Sequence, residues 1–349
     1  MGPMRVLIVG YFGRKALFRR YFNTENILAA GFIRAGHHVL CFSDRDHARE
    51  ATIFGTQKFG MKKMQAALVE TAGHYRPHFI LFGHSEGIDP ATYDRLRQTL
   101  PGVRLATFCV DATFRKATMQ HFAERAGFVD AAFLTSAGGL DGFAFPPARL
   151  FFMPNPVDSS IETARVFDIP RERLRLDGQF LGTGIERREE QIEAIRAGLP
   201  PAYRFESGGR AFQTERIDST TYMERLADAA VCPNLPLDDL KPEQQAYLYS
   251  SDRIAQTLGQ GVTTLTIAAS RLSDLYEGGV VEYEDRQDLV HKMIALYEND
   301  AERRRIGALG HRIAHDRTNG TRVAQYLLAA SFGESLDDVP WPTALNQGL

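Results

Sequence analysis

Two short stretches set ionisable side chains directly behind apolar runs. GHSEG (83–87) follows FILF and places His84, Ser85 and Glu86 at the end of a strand-like segment, and CVDAT (109–113) does the same for Asp111. An imidazole or carboxylate held at a strand end facing a cleft is suited to taking a proton from a substrate hydroxyl. Helix capping and loop hydrogen bonding compete for the same residues, most strongly for Ser85. A third stretch, GTGIERR (182–188), also follows an apolar run. Its Gly182 and Gly184 permit close backbone approach to an anion, and Arg187 and Arg188 stand beside them. GTG by itself fits any strand-to-helix turn, so its meaning depends on what surrounds it.

The elements needed to position these groups follow a β/α rhythm. RVLIVG (5–10) is a continuous apolar run ending in Gly, as expected of a strand buried on both faces of a parallel sheet. Asn23 or Thr24 can cap a helix carrying Ile27, Leu28 and Phe32, which Gly36 ends before the next strand, HVLCF (38–42). Further strands are expected at 79–83, 104–110, 131–135 and 149–154, with helices around 61–73, 90–99 and 115–126. PNPVDSSIETARVFDIPRERLR (154–175), with three prolines and many polar residues, breaks the rhythm and reads as a linker. A second series follows, with strands at 178–182, 203–207, 229–233, 263–267 and 279–283, separated by helical patterns. In the helix from Asp285, Leu289, Val290, Met293, Ile294, Leu296 and Tyr297 recur at core spacing.

The expected fold is therefore α/β, with two Rossmann-like, doubly wound parallel-sheet domains facing a central cleft. The expected boundaries are 1–160 for the first domain, 161–325 for the second, and 326–349 for a tail that packs back on the first. Ligands of such folds bind beyond the carboxyl ends of the strands.

Composition narrows the class. The chain has 349 residues, 44% hydrophobic and 24% charged, enough for two ordinary cores, and no apolar stretch long enough to span a membrane. The start lacks the length and cleavage site of a signal peptide, which points to a cytoplasmic protein. Cys41, Cys109 and Cys232 are isolated, so neither a disulfide framework nor a zinc knuckle is expected. The net charge of −2 hides a balance of +7 over 1–150 and −9 over 151–349. Much of the positive surplus lies in RKALFRRYF (14–22) and KFGMKKM (58–64). There Arg14, Lys15, Arg19 and Arg20 stand beside Phe18, Tyr21 and Phe22. Such segments suit peripheral contact with an anionic membrane face or a polyanionic acceptor; solvated cations on helix faces are the bland alternative. No nucleic-acid partner is expected.

Several features resemble one family. PNPVD (154–158) closes the first half as it does in many GT-B glycosyltransferases. SDRIAQTLGQGVTTLT (251–266) is similar to the donor-site helix of group 1 glycosyltransferases, in particular the branch named after spore-maturation proteins (CgeB-like). That branch favours an Arg, an acidic residue three positions on and a Gly five further; the positions here are Arg253, Gln256 and Gly261, so the acidic residue is replaced by an amide. The likeness continues through Leu275, Gly279, VVEYED (280–285), His315, Thr318 and Arg322. It is motif-specific from about 149 to 328 and fold-level before that.

The resemblance implies a glycosyltransferase that moves a sugar from a nucleotide-activated donor to a hydroxyl of a glycan, glycolipid or polymer. A nucleotide-sugar epimerase and a non-catalytic nucleotide-sugar or glycan-binding protein are the alternatives. It implies that the helix from Asp252 points its amino end at the donor diphosphate, with Arg253 as a bidentate cation and Gly182, Gly184, Arg187 and Arg188 as further partners; helix-end N–H groups and their partial positive charge suit phosphate oxygens. An Arg253 paired with Asp252 or Glu243 is the competing picture. Retaining members often carry two glutamates eight positions apart, and Leu248 and Gln256 stand there instead. Gln256 can still bond a hydroxyl through its amide, with Tyr249, Ser250 and Asp252 as polar neighbours. On the acceptor side, VGYFG (9–13) resembles the glycine loop of GT-B first domains through Gly10, Phe12 and Gly13. It lacks a full GxGxxG fingerprint, which disfavours a dehydrogenase. SDRD (43–46) mimics the Asp-x-Asp metal motif of the GT-A fold but follows only the second strand of a chain built on another plan. No metal and no cofactor are expected; the nucleotide sugar is a co-substrate. His37 and His38 read as structural.

Overall fold

Six parallel strands build the first sheet: β1 (Arg5–Gly10), β2 (His38–Ser43), β3 (Phe79–Phe82), β4 (Arg104–Cys109), β5 (Ala131–Leu134) and β6 (Leu150–Phe152), in the order β2-β1-β3-β4-β5-β6. Val6, Leu7, Ile8 and Val9 are fully buried, as are Phe79, Ile80, Leu81 and Phe82. Unbroken apolar runs of this kind suit a parallel sheet covered on both faces. The helices between them are α1 (Thr24–Arg34), α2 (Asp44–Glu50), α3 (Gln57–Tyr75), α4 (Pro90–Thr99) and α5 (Lys116–Ala126). Asn23 is the cap of α1, its side chain accepting from the Asn26 amide.

The second sheet holds β7 (Leu176–Leu181), β8 (Phe205–Gly208), β9 (Ala229–Pro233), β10 (Thr263–Ile267) and β11 (Val281–Tyr283), in the order β11-β10-β9-β7-β8 and again all parallel. Its helices are α6 (Glu186–Gly198), α7 (Tyr222–Leu226), α8 (Asp252–Gly259), α9 (Ser273–Tyr276), α10 (Arg286–Glu298) and α11 (Asp300–Arg317). Leu289, Val290, Met293 and Leu296 of α10 join Phe180, Val231 and Leu265 in the core, with Ile294 and Tyr297 packed against it.

This computed structural model describes residues 2–13, 21–85, 87–140, 142–145, 150–182, 186–209, 217, 221–235, 247–343 and 345, with 186 and 187 as backbone only. The basic segment at 14–20 and Glu86, Gly184 and Glu243 lie outside the described residues, as does the side chain of Arg187. The chain divides into one unit of Met1–Pro156 with Gly320–Leu349 and a second of Val157–Asn319. The divisions fall at 156/157 and 319/320 rather than at 160/161 and 325/326. Val157 and Asn319 form a parallel bridge, the Val157 amide donating to the Thr318 carbonyl at 3.1 Å. The two points where the chain enters and leaves the second unit are thereby tied together.

Most of the stretch expected as a linker belongs to the second unit's body. Val166 is fully buried, and the buried Arg303 donates to the Val166 and Ile169 carbonyls at 3.5 and 2.7 Å. The final helix, α12 (Gly320–Phe332), belongs entirely to the first unit. It packs on α1 so closely that a β-carbon on Gly31 would overlap the Gly320 carbonyl, and Tyr326 donates to the Phe152 carbonyl at 2.7 Å. Among the described residues no helix is long and apolar enough to cross a membrane.

Candidate active site

In an open parallel sheet a ligand crevice forms beyond the carboxyl ends of the strands, where neighbouring connections depart to opposite sides. In the second unit that point lies between β7 and β9, because β7 pairs with β8 on one side and β9 on the other. Three chain segments converge there: Leu181 and Gly182 at the end of β7, Asn234 after β9, and the start of α8.

Arg253, in the first turn of α8, is fixed at this point by three contacts. Nη1 donates to the Leu181 carbonyl at 3.0 Å, Nη2 donates to Asn234 Oδ1 at 2.6 Å, and the guanidinium carbon stands 4.3 Å from the centre of the Phe180 ring. Two acceptors and a stacked ring set the plane of the cation. Both of these acceptors are neutral, and among the described residues no carboxylate forms an ion pair with it. Arg188 approaches the same ring from α6, 5.3 Å from its centre, with Nη2 donating to the Leu235 carbonyl at 2.9 Å. The structure thus brings together Gly182, Arg188 and Arg253.

The amino end of α8 adds to this positive field. Ser251 stands at the cap position in extended conformation, yet its side chain makes no capping bond; the hydroxyl donates instead to Asn234 Oδ1 at 3.3 Å. A helix start without a side-chain cap presents its first-turn amides and the positive end of its dipole. Asn234 is the organiser that the sequence reading missed. Its amide donates to the Leu265 carbonyl at 2.7 Å, and its carbonyl accepts from the Tyr283 hydroxyl at 2.8 Å. The signal was present: a polar residue directly after the apolar run AAVCP, at a strand's carboxyl end.

The remaining expected donor residues are distributed around this cluster. Tyr249 and Ser250 are buried, and Asp252 is half-buried at the start of α8. Gln256 is buried one turn further along α8, where its Oε1 accepts from the Tyr222 hydroxyl at 3.1 Å. Leu248 is fully buried and takes a left-handed φ of 50°, an uncommon conformation for a residue with a side chain. Its amide donates to the Ser270 carbonyl at 2.8 Å.

In the first unit the corresponding switch lies between β1 and β3. Gly10 and Gly83 end these strands, and both lie against the Glu25 side chain: β-carbons there would stand 2.9 Å from Glu25 Cγ and 2.7 Å from its Oε1. Glu25 is buried; Oε2 accepts from Asn23 Nδ2 at 2.9 Å and Oε1 from the His84 amide at 3.4 Å. Sequence reasoning did not single out this carboxylate, although an acid in the first turn of the helix after a glycine loop was visible. The His84 and Asp111 side chains do come together, Nδ1 lying 4.0 Å from Oδ2, with both partly open to solvent. Asp111 Oδ1 also accepts from Arg115 Nη1 at 3.0 Å. Phe12 donates its amide to Ser43 Oγ at 3.3 Å, and Gly13 has a φ of 62°.

The SDRD stretch forms the start of α2. Ser43 Oγ donates to Asp46 Oδ2 at 2.5 Å, and Asp44 Oδ1 accepts from the Arg45 amide at 2.6 Å. Burial raises the Asp44 carboxyl to about 6. Among the described residues no three His, Cys, Asp or Glu side chains are grouped to hold a metal ion. His37 Nδ1 accepts from the Met4 amide at 3.1 Å, and His38 Nδ1 bonds the Tyr75 hydroxyl at 2.7 Å.

Two α/β domains, each with an all-parallel sheet, define the GT-B class of architecture. Residues 187–329 match the family described as glycosyl transferase-like, a span that includes α8 and its strand-end surroundings. No curated protein matches the chain. Among solved structures, an α-glucosyltransferase in complex with UDP and a 13-mer DNA is similar at 12% identity, covering 95% of this chain and 100% of its own, with a TM-score of 0.64. Sucrose-phosphate synthase from Thermosynechococcus elongatus matches at 12% identity over 95% of this chain and 98% of its own, TM-score 0.64. Anabaena HepE in complex with UDP and glucose matches at 11% identity over 95% and 100%, TM-score 0.61. At such identities the likeness speaks for the fold.

Proposed function

We propose that the protein is a glycosyltransferase, allied to the spore-maturation-like branch of the group 1 enzymes, that moves a sugar from a nucleotide-activated donor to a hydroxyl of a glycan, glycolipid or polymer. The observation that carries this reading is Arg253: a cation held at the strand-end switch of the second unit by neutral acceptors, beside a helix start whose cap residue, Ser251, makes no side-chain capping bond. Such a site suits the diphosphate that departs when the sugar is transferred, because charge that grows on the leaving group meets donors already in place. Gly182, Gly184, Arg187 and Arg188 would line the same diphosphate, with Tyr249, Ser250, Asp252 and Gln256 nearby. The second unit is the donor domain and the first the acceptor domain.

On the acceptor side, His84 would take the proton of the attacking hydroxyl, with Asp111 stabilising the imidazolium that forms. Glu86 is a further candidate for that role, and Gly10, Phe12 and Gly13 would border the acceptor. The chemistry would need no divalent metal, since Arg253 and the α8 amino end already supply positive charge to the leaving group.

Incubation with a panel of nucleotide sugars tests the reading. Transfer or slow hydrolysis of one donor, undiminished by EDTA, is expected. Interconversion of the sugar would make the protein an epimerase, and binding without turnover a binding protein. Loss of turnover with EDTA, rescue by manganese and inactivity of Asp44→Ala would overturn metal independence.

A further inference from the structure

Among the described residues of the first unit, the three most exposed large apolar side chains are concentrated in one place. Ile53 is 100% exposed, Phe54 85% and Phe59 75%, all within the α2–α3 loop and the first turn of α3. Lys58, Lys62 and Lys63 are exposed beside them, and no acidic residue occurs from 51 to 69. Scattered surface apolar residues need no explanation, but a cluster of three with three exposed lysines beside it does, the nearest exposed carboxylates being Glu50 and Glu70 at the two ends of the stretch.

The loop holds these side chains outward by design of its backbone. Thr52 Oγ1 lies 3.2 Å from both the Arg49 and Thr56 carbonyls, sharing its one proton between them, and accepts from the Thr56 amide at 3.0 Å. Gly55 turns the chain with a φ of 62°. Gly60 then seats α3 against α2 so closely that a β-carbon there would overlap the Ala48 carbonyl. Ile53 and Phe54 therefore project from a braced turn; Lys58 and Lys62 stand one helical turn apart behind them, and Lys63 donates from Nζ to the Ala51 carbonyl in the same loop at 3.3 Å.

We propose that this loop and the first turns of α3 form a docking surface for an anionic lipid bilayer, with Ile53, Phe54 and Phe59 entering the interface and the three lysines meeting lipid phosphates. Apolar tips backed by flexible cations match the layered polarity of a membrane surface, and lysine stems can lie along apolar surface while their heads reach the phosphates. A nucleic-acid strand fits less well, because Ile53 offers no face on which a base can stack. The surface adjoins the first-unit crest through α2, whose Arg45 reaches the His84 carbonyl at 3.4 Å. The inference does not depend on sugar transfer, since its test reads binding rather than turnover.

The test is sedimentation of the full chain with vesicles of phosphatidylcholine alone, or of phosphatidylcholine and phosphatidylglycerol in equal parts. Wild type should bind the anionic vesicles and not the neutral ones, and rising salt should weaken binding. Combined Lys58→Gln, Lys62→Gln and Lys63→Gln should lower partitioning about fivefold per lysine. Combined Ile53→Ser, Phe54→Ser and Phe59→Ser should lower it at least about tenfold while anionic lipid is still present. Both triple variants change exposed positions, so unchanged melting temperatures and far-ultraviolet spectra serve as the folding control. No binding of wild type to anionic vesicles overturns the proposal, as does equal binding to neutral vesicles. Undiminished binding by either folded triple variant also overturns it.

Discussion

Gly182 and Arg253 meet with no room for a side chain between them: a β-carbon on Gly182 would stand 2.6 Å from Arg253 Nη1. The absence of a side chain at the end of β7 is thus part of how the cation is held. Gly182 is itself crowded from the far side, where a β-carbon on Gly209 would overlap its carbonyl.

Arg253→Ala should lose about 3 to 4 kcal/mol of transition-state stabilisation, roughly a hundredfold to a thousandfold in kcat/KM, while the fold survives. Among the described residues the side chain takes no part in an ion pair, and Asn234 Oδ1 keeps its bond from the Ser251 hydroxyl when the guanidinium is removed. Arg253→Lys should recover little, because an ammonium cannot reproduce the planar fork that spans Leu181 and Asn234. Gly182→Ala should push the guanidinium aside and cost up to about a hundredfold with Arg253 intact. Steady-state kinetics on the donor found by the panel will decide; near-normal turnover by folded Arg253→Ala would remove the diphosphate assignment.

On the acceptor side, His84→Gln should lower kcat by roughly a hundredfold to ten-thousandfold, the usual worth of a positioned base, and leave nucleoside-diphosphate affinity unchanged. Asp111→Asn should lower kcat less, because it removes the group that stabilises the imidazolium and leaves the imidazole itself. Calorimetric titration with the nucleotide separates the two readouts. If His84→Gln turns over normally while Glu25→Gln does not, the proton goes to the buried carboxylate between Gly10 and Gly83.

The β/α alternation was legible because strands buried on both faces leave continuous apolar runs such as VLIV and FILF, and those runs fall where β1 and β3 lie. The end of the first unit was harder to read. Gly320 opens α12 by lying against Gly31 far upstream in the chain, and a contact between two glycine backbones leaves no periodic trace. The stretch from 158 to 175 reads as a polar linker because its anchor is Arg303, a charged residue whose burial depends on carbonyls that no side-chain pattern encodes. In the donor cluster, Arg253 and Gly182 could be found from motif and spacing. Asn234 could not be weighted, since its importance comes from two donors, Ser251 and Arg253, that meet it only in three dimensions.

A last prediction concerns Glu162, a buried carboxyl whose Oε2 accepts from the Asp158 amide at 2.7 Å and whose Oε1 has no hydrogen-bond partner among the described residues. Burial, reinforced by the nearby Asp158 and Asp252 carboxylates, raises it to about 8. A glutamate in the unfolded chain titrates near about 4.3, so between that pH and about 8 the folded protein holds a proton that the unfolded chain has released. Stability must therefore fall as pH rises through this window and level off above it. Two other shifted groups act lower down. Asp44, raised to about 6 by burial, also lowers stability with rising pH but only up to that point. His311, lowered to about 4 chiefly by burial, raises stability with pH up to its unfolded value near about 6.5 and no further. The interval from about pH 7 to 8 consequently isolates Glu162 among these three groups. Urea midpoints across that interval should decline for wild type and stay flat for Glu162→Gln, the variant becoming the more stable protein at the alkaline end by up to a few kcal/mol. Parallel curves for the two proteins would show that Glu162 carries no proton in the folded state at neutral pH.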